Sequence, residues 1–192
     1  MADIDLVIEE RPASIGKFTV GRLLPFRQKR MVGPFIYMDH MGPAELKPEE
    51  NFDVLPHPHI GLATLTYLIE GNLMHRDSIG SEQEIVPGEV NWMTAGSGIV
   101  HSERTPAYMR NAVKRIHGLQ IWIALPQEKE QMAPRFSHFE KERIPEWYNG
   151  DMKFTLIAGE AFGRNSPVTT YSPLFMVEIT SRSVRSLTLD DE

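Results

Sequence analysis

The sequence predicts an all-β protein, built as a sandwich or barrel, on three observations. Its 14 glycines and 14 prolines are spread along all 192 residues instead of pooling in one linker. Short apolar or β-branched runs follow one another, each closed by proline, glycine or charge. Helical patterning is confined to two brief segments, too little for a helical layer.

The elements follow in chain order. Lys17–Leu24 and Pro34–Met38 are strand-length runs ended by turn residues. Asp39–His57 carries Gly42, Pro43, Pro48 and Pro56 and reads as a long surface loop. Ala63–Glu70 (ATLTYLIE), then Gly71-Asn72, then Leu73–Ile79 reads as strand, two-residue turn and strand, a hairpin signal. Val90–Thr94 and Ile99–Glu103 flank the glycine-rich Ala95-Gly96-Ser97-Gly98. His117–Leu125 places Leu119, Ile121, Ile123 and Leu125 at a period of two, as a strand requires. Gln127–Gln131 and Arg143–Trp147 are the two candidate helical turns, the second limited by Pro145. Met152–Ala158 and Leu174–Ser181 are the last strand candidates, and the polar Pro126–Gly150 segment is the place for a boundary. This divides the chain into residues 1–150, the main domain, and 151–192. No repeat of 20–50 residues is present, which excludes a solenoid.

Composition narrows the function. The chain has 20 basic and 26 acidic residues, a net charge of −6, so it lacks the basic footprint of a direct nucleic-acid binder. With no cysteine it has no disulfide, zinc finger, iron–sulfur cluster or thiol nucleophile. The start, MADIDLVIEERP, lacks the basic and apolar regions of an export signal, and no run approaches the ~20 apolar residues of a membrane helix. A soluble, cytoplasmic protein is the expectation.

Two short patterns carry chemistry. In Pro56-His57-Pro58-His59 the two histidines are i and i+2, so an extended chain turns both to one face. Pro58 removes a ladder donor and places the pair at a strand start, edge or rim. His101-Ser102-Glu103 repeats the geometry. Each pair alone is also compatible with a polar loop or a hydrogen-bonded rim. If the two strands face each other inside a barrel, three imidazoles and one carboxylate meet. That donor set suits Fe(II), Mn, Ni, Cu or Zn and not Ca or Mg, and on an octahedral ion it leaves two positions open for substrate, O₂ or water. The remaining histidines read as structural. His75, in His75-Arg76-Asp77, reads as a surface ion pair or turn contact. His40 reads as fixing a loop, His138 belongs to the connector, and His117 is left unassigned. Trp92 and Met93 read as core.

HPHIGLATLTYLIEG followed by PGEVNWMTAGSGIVHSE resembles the two core motifs of the pirins, a branch of the cupin superfamily. GRLLPFRQKRMVGPFIYMDHMGPA, HGLQIWIALP, PRFSHF and SPVTTYSPLFMVEI extend the resemblance over nearly the whole chain. It implies a double-stranded β-helix barrel of jelly-roll type with one metal, usually iron, held by His57, His59, His101 and Glu103. It also implies O₂-dependent oxidation of flavonols such as quercetin, as some members perform. Two departures stand out. The glutamate that many cupins carry four residues after the second histidine is Ala63 here, which leaves Glu103 as ligand and as candidate catalytic base. Pirins have two cupin domains, and this sequence ends at Asp190-Asp191-Glu192, so residues 151–192 are expected to begin a truncated second one.

Two functions follow as expectations. One is an Fe(II)-dependent dioxygenase of a quercetin-like flavonol or enol. The other is a non-enzymatic metal- or redox-sensing protein that acts through a protein partner. A third reading is a half-cupin with a structural ion. An unpaired barrel edge also predicts a homodimer through the strands after about Phe154. Coordination needs neutral imidazoles, so metal binding should weaken in acid.

Overall fold

The computed structural model describes residues 4–184, 186 and 187, and the expected C-terminal Asp190–Glu192 lies outside them. The chain divides between Lys141 and Glu142, within the Pro126–Gly150 segment, into two compact units.

The first unit contains β1 (Arg11–Ile15), β2 (Phe18–Leu24), β3 (Phe35–Leu46), β4 (Asp53–His59), β5 (Leu62–Glu70), β6 (Leu73–Asp77), β7 (Glu82–Ile85), β8 (Val90–Thr94), β9 (Ile99–Arg104), β10 (Lys114–Ala124) and β11 (Arg135–Phe139). One antiparallel sheet has the order β1-β2-β3-β10-β5-β8-β11 and the other β4-β9-β6-β7. From β3 to β6 each successive strand changes sheet, and β7 to β10 repeat the alternation. This is the expected double-stranded β-helix. Val20, Met41, Leu46, Phe52, Leu68, Leu73, Ile85 and Ile116 form one apolar cluster, and Met93, Ala95 and Ile99 form another against Phe136.

The second unit is a four-stranded sheet. β13 (Met152–Ala161) pairs with β12 (Glu146–Asn149), with β14 (Arg164–Asn165) and with β15 (Phe175–Ser181). Phe154 is buried there, packed between Trp147 and Phe162.

Several expectations are corrected. Gly71-Asn72 does not close a hairpin: β5 and β6 lie in different sheets, and the two residues turn the corner between them. The hairpin of this region is β6–β7, with Leu73 opposite Ile85. Asp39–His57 is not one loop, because β3 runs on to Leu46 and β4 begins at Asp53. The Pro126–Gly150 connector holds β11 and β12. Within it the expected turn at Arg143–Trp147 is a 3-10 turn at Lys141–Arg143, which gives way to β12. Gln127–Lys129 forms a 3-10 turn. In β10 the apolar stripe of Ile121 and Ile123 is buried, yet its alternates Gln120 and Trp122 are the residues that face the opposing sheet.

Candidate metal centre

The four-stranded sheet lines up three chemistry-bearing strands by register. His57 on β4 lies directly opposite His101 on β9, and Asp77 on β6 lies opposite His101 from the other side. Glu103 lies opposite His75. A bulge between Val54 and His57 offsets the start of β4, and Pro56 and Pro58 hold the chain extended around the two histidines.

His57, His59 and His101 converge. Their ring centroids are 4.8, 4.5 and 4.9 Å apart pairwise, and one ring nitrogen of each lies within 4.8 Å of the others. Glu103 stands beside His101 and forms a second group with His101 and His75, also within 4.8 Å. The structure thus brings all four sequence-selected residues into one region, with His101 common to both groups. Glu103 is buried and accepts a 2.8 Å hydrogen bond from the Thr66 hydroxyl of the facing sheet, which itself lies 3.0 Å from Gln120 Oε1. Trp122 sets its ring edge-on to His59 at 4.9 Å and stacks on Tyr37 at 4.0 Å. Behind them Arg22 closes a fork onto the fully buried Asp39, which also accepts the Tyr37 hydroxyl proton at 2.6 Å. Burial first, and that hydrogen bond second, push the Tyr37 phenol well above its usual range.

The hydrogen bonds assign nitrogens. His57 Nδ1 donates to the Leu55 carbonyl at 2.8 Å, which leaves its Nε2 lone pair for an acceptor role. His59 Nε2 and His101 Nε2 are buried with no hydrogen-bond partner. Leaving such atoms unsatisfied costs about 1–3 kcal/mol each. A transition-metal cation satisfies them, and the imidazole and carboxylate donor set fits one.

His75 departs from its expected surface role. It is 3% exposed, stacks on Phe136 at 4.2 Å, lies 3.0 Å from Asp77 and places Nδ1 3.4 Å from His101 Nδ1. Its His75-Arg76-Asp77 context is a third i, i+2 pair of the kind that marked the other two strands. Thr66, Gln120 and Phe136 carry no comparable sequence signal. The other histidines lie elsewhere. His40 joins Glu10 at 2.5 Å and His117 at 2.9 Å, which gives His117 a partner, and His138 bonds Asn91 at 2.8 Å. Trp92 and Met93 are buried core, as expected.

Burial, reinforced by the neighbouring imidazoles, lowers His59 to about 4 and His101 to about 3. The unfolded chain titrates near the ordinary histidine value of about 6.5 and so binds more protons in between. The folded state's advantage is complete above about pH 6.5 and is lost as pH falls through about 4 and then 3. For His59 this amounts to about 3 kcal/mol. Urea unfolding of chelator-treated protein should therefore lose stability from pH 6.5 to 4 more steeply than the His59→Gln variant. Parallel curves would contradict the assignment.

A family model described as Pirin matches residues 17–123. The chain is 56% identical over 177 residues to a pirin-like protein of Caulobacter vibrioides, covering 91% of this chain and 61% of that one. It superposes on a quercetin 2,3-dioxygenase of Acinetobacter baumannii with a TM-score of 0.84 at 42% identity, over 90% of this chain and 56% of that one. The Escherichia coli pirin YhhW, solved in complex with nickel(II), shares the fold with a TM-score of 0.58 at 23% identity, over 78% of this chain and 68% of that one. The chain thus spans about three fifths of the length of the Caulobacter relative. Among the described residues no helix is long and apolar enough to cross a membrane.

Proposed function

Since the chain belongs to the pirin family of the cupin superfamily, we propose that it holds one divalent transition metal, Fe(II), on His57, His59, His101 and Glu103 and oxidises a flavonol or related enol with O₂. The observation that carries this reading is the pair of buried, unpartnered nitrogens, His59 Nε2 and His101 Nε2, aimed into a cluster with His57. The quercetin 2,3-dioxygenase with 42% identity supports the substrate class. When bound, the cation supplies Lewis acidity toward a deprotonated enol oxygen and an electronic route to O₂.

The chain's own residues do the rest. Glu103, oriented by Thr66, balances the cation's charge as a carboxylate and is the group that would give up that charge in accepting the enol proton. Trp122 and Phe136 give the centre apolar walls that exclude water. His57 is the least buried of the three imidazoles and marks the side from which substrate enters.

Leu55, Ile60 and Val100, all exposed, neighbour the histidines on β4 and β9. They favour a second reading, in which the ion's presence or valence alters a surface that a regulatory protein partner reads. Residues 151–192 as the start of a further cupin, and a homodimer through strands after Phe154, belong to the same proposal.

Metal analysis of the purified protein beside a His57→Ala/His59→Ala double variant tests this reading, with O₂ uptake on quercetin followed after Fe(II) loading. About one metal per chain, lost in the variant and accompanied by O₂ uptake, is the expected result. Metal without O₂ uptake supports the regulatory reading, and no metal in either protein overturns both. Light scattering of the same sample should give a dimer, and a strict monomer would remove that part.

A further inference from the structure

Asp77 and His75 lie outside the four proposed ligands, yet a continuous line of hydrogen bonds runs from them to His101. Asp77 terminates β6, and its Oδ1 accepts the backbone N–H groups of Ile79 at 3.1 Å and Ser81 at 2.9 Å in the β6–β7 turn. Its Oδ2 faces His75 Nε2 at 3.0 Å. Burial opposes the Asp77 charge, but the bonds from His75 and Ser81 outweigh it and hold the carboxyl below the usual carboxylate range. Asp77 is therefore an acceptor only, and His75 Nε2 carries the proton that joins them. With the His75 proton on Nε2, its Nδ1, which faces His101 Nδ1 at 3.4 Å, is the acceptor of that pair. His101 satisfies that contact by carrying its proton on Nδ1. Its lone pair is thereby confined to Nε2, the buried atom without a partner in the cluster.

We propose that Asp77 and His75 are positioning residues that fix the tautomer of His101 and so make its Nε2 a competent metal ligand. This rests on the metal-binding reading above. His75, although grouped with His101 and Glu103 by distance, spends its inward nitrogen on His101 and acts through it. Phe136, stacked on His75 at an interplanar angle of 15°, holds the ring in the plane this needs.

The arrangement makes a one-atom substitution unusually informative. In Asp77→Asn only the carbonyl oxygen can keep the two backbone N–H bonds, so the amide NH₂ turns toward His75. His75 must then accept at Nε2 and carry its proton on Nδ1. His101, facing a donor, must accept at Nδ1 and carry its proton on Nε2, where a ligand lone pair is required. Asparagine at position 75 puts a carbonyl oxygen where His75 Nδ1 stood, so it accepts from His101 whatever residue 77 offers.

The experiment uses the full chain, ¹⁵N-labelled and metal-free, with long-range ¹H–¹⁵N correlation spectra to read each histidine tautomer. Co(II) affinity is measured beside it by chelator competition. The wild type should show the proton on His75 Nε2 and on His101 Nδ1. Asp77→Asn should reverse both and weaken Co(II) binding about 10–100-fold. Asp77→Asn/His75→Asn should return His101 to the Nδ1–H form and recover most of that loss, although it still lacks the Asp77 charge. Unchanged tautomers in Asp77→Asn overturn the proposal. So does a double variant that binds Co(II) as weakly as the single one, because charge or folding then accounts for the loss. Reversed tautomers in a protein whose wild type binds no Co(II) uphold the relay and overturn the metal reading instead.

Discussion

Replacing Glu103 by glutamine is expected to lower quercetin-dependent O₂ uptake by about a hundredfold or more while a cation stays bound. Glutamine keeps the shape of glutamate, and its carbonyl oxygen can still accept the 2.8 Å bond from Thr66. It cannot take up a proton, and it places a neutral amide where an anion stood. General-base catalysis by a positioned carboxylate contributes about 10²–10⁴-fold, and all of that is removed. The three imidazoles are untouched, so metal content after stoichiometric loading should remain near that of the wild type. With Ala63 at the other position where cupins offer a carboxylate, no second acid in the motif can substitute. Metal analysis and an oxygen electrode on the same preparation separate the two roles. Turnover within a few-fold of wild type would remove Glu103 from proton transfer, and loss of the metal would make it chiefly a ligand.

The second large effect lies in the backbone. Gly71 has φ +85°, and a Cβ there would sit 2.1 Å from the carbonyl oxygen of Arg115. Gly80 has a comparable φ of +97° with nothing within 4 Å of its Cβ position. Alanine at Gly80 meets only the conformational penalty of a left-handed backbone, about 1–2 kcal/mol. Alanine at Gly71 meets the same penalty and must also push β10 away at the corner where the chain passes between sheets. Its destabilisation is expected at about 3–5 kcal/mol, in the range reserved for strain combined with overpacking. Urea midpoints of the two variants measure the difference, and equal losses would mean that the corner relaxes freely.

Gly71 also marks the limit of local reading. Gly-Asn between two strand-like runs carries the same local signal whether the runs pair or part. The choice depends on what the far strands do: β10 takes the place beside β5, and β9 takes the place beside β6. The same holds for β10. Its period of two marks a strand without saying which face meets the site, and here Gln120 and Trp122 face the opposing sheet. β3 and β4 were hidden by Gly42, Pro43, Pro48 and Pro56, which these long strands accommodate at a positive-φ glycine, at a turn and along an edge.

His57/His59, His101/Glu103 and His75/Asp77, the last read from the sequence as a surface ion pair or turn contact, share one property that needs no fold: residues two apart on an extended chain face the same way. That much, together with the all-β class and the placement of Val90–Thr94, was determined by the sequence itself, because alternation and turn residues act over a few neighbouring positions. Only the tertiary structure decided that the three pairs lie on adjacent strands. The registers that set His57 against His101 and Glu103 against His75 come from the packing of two sheets and the bulge in β4. The tautomer of His101 lies further still from the sequence. It depends on an acceptor reached through His75, and so on hydrogen bonds between side chains that are neighbours only once the sheet has formed.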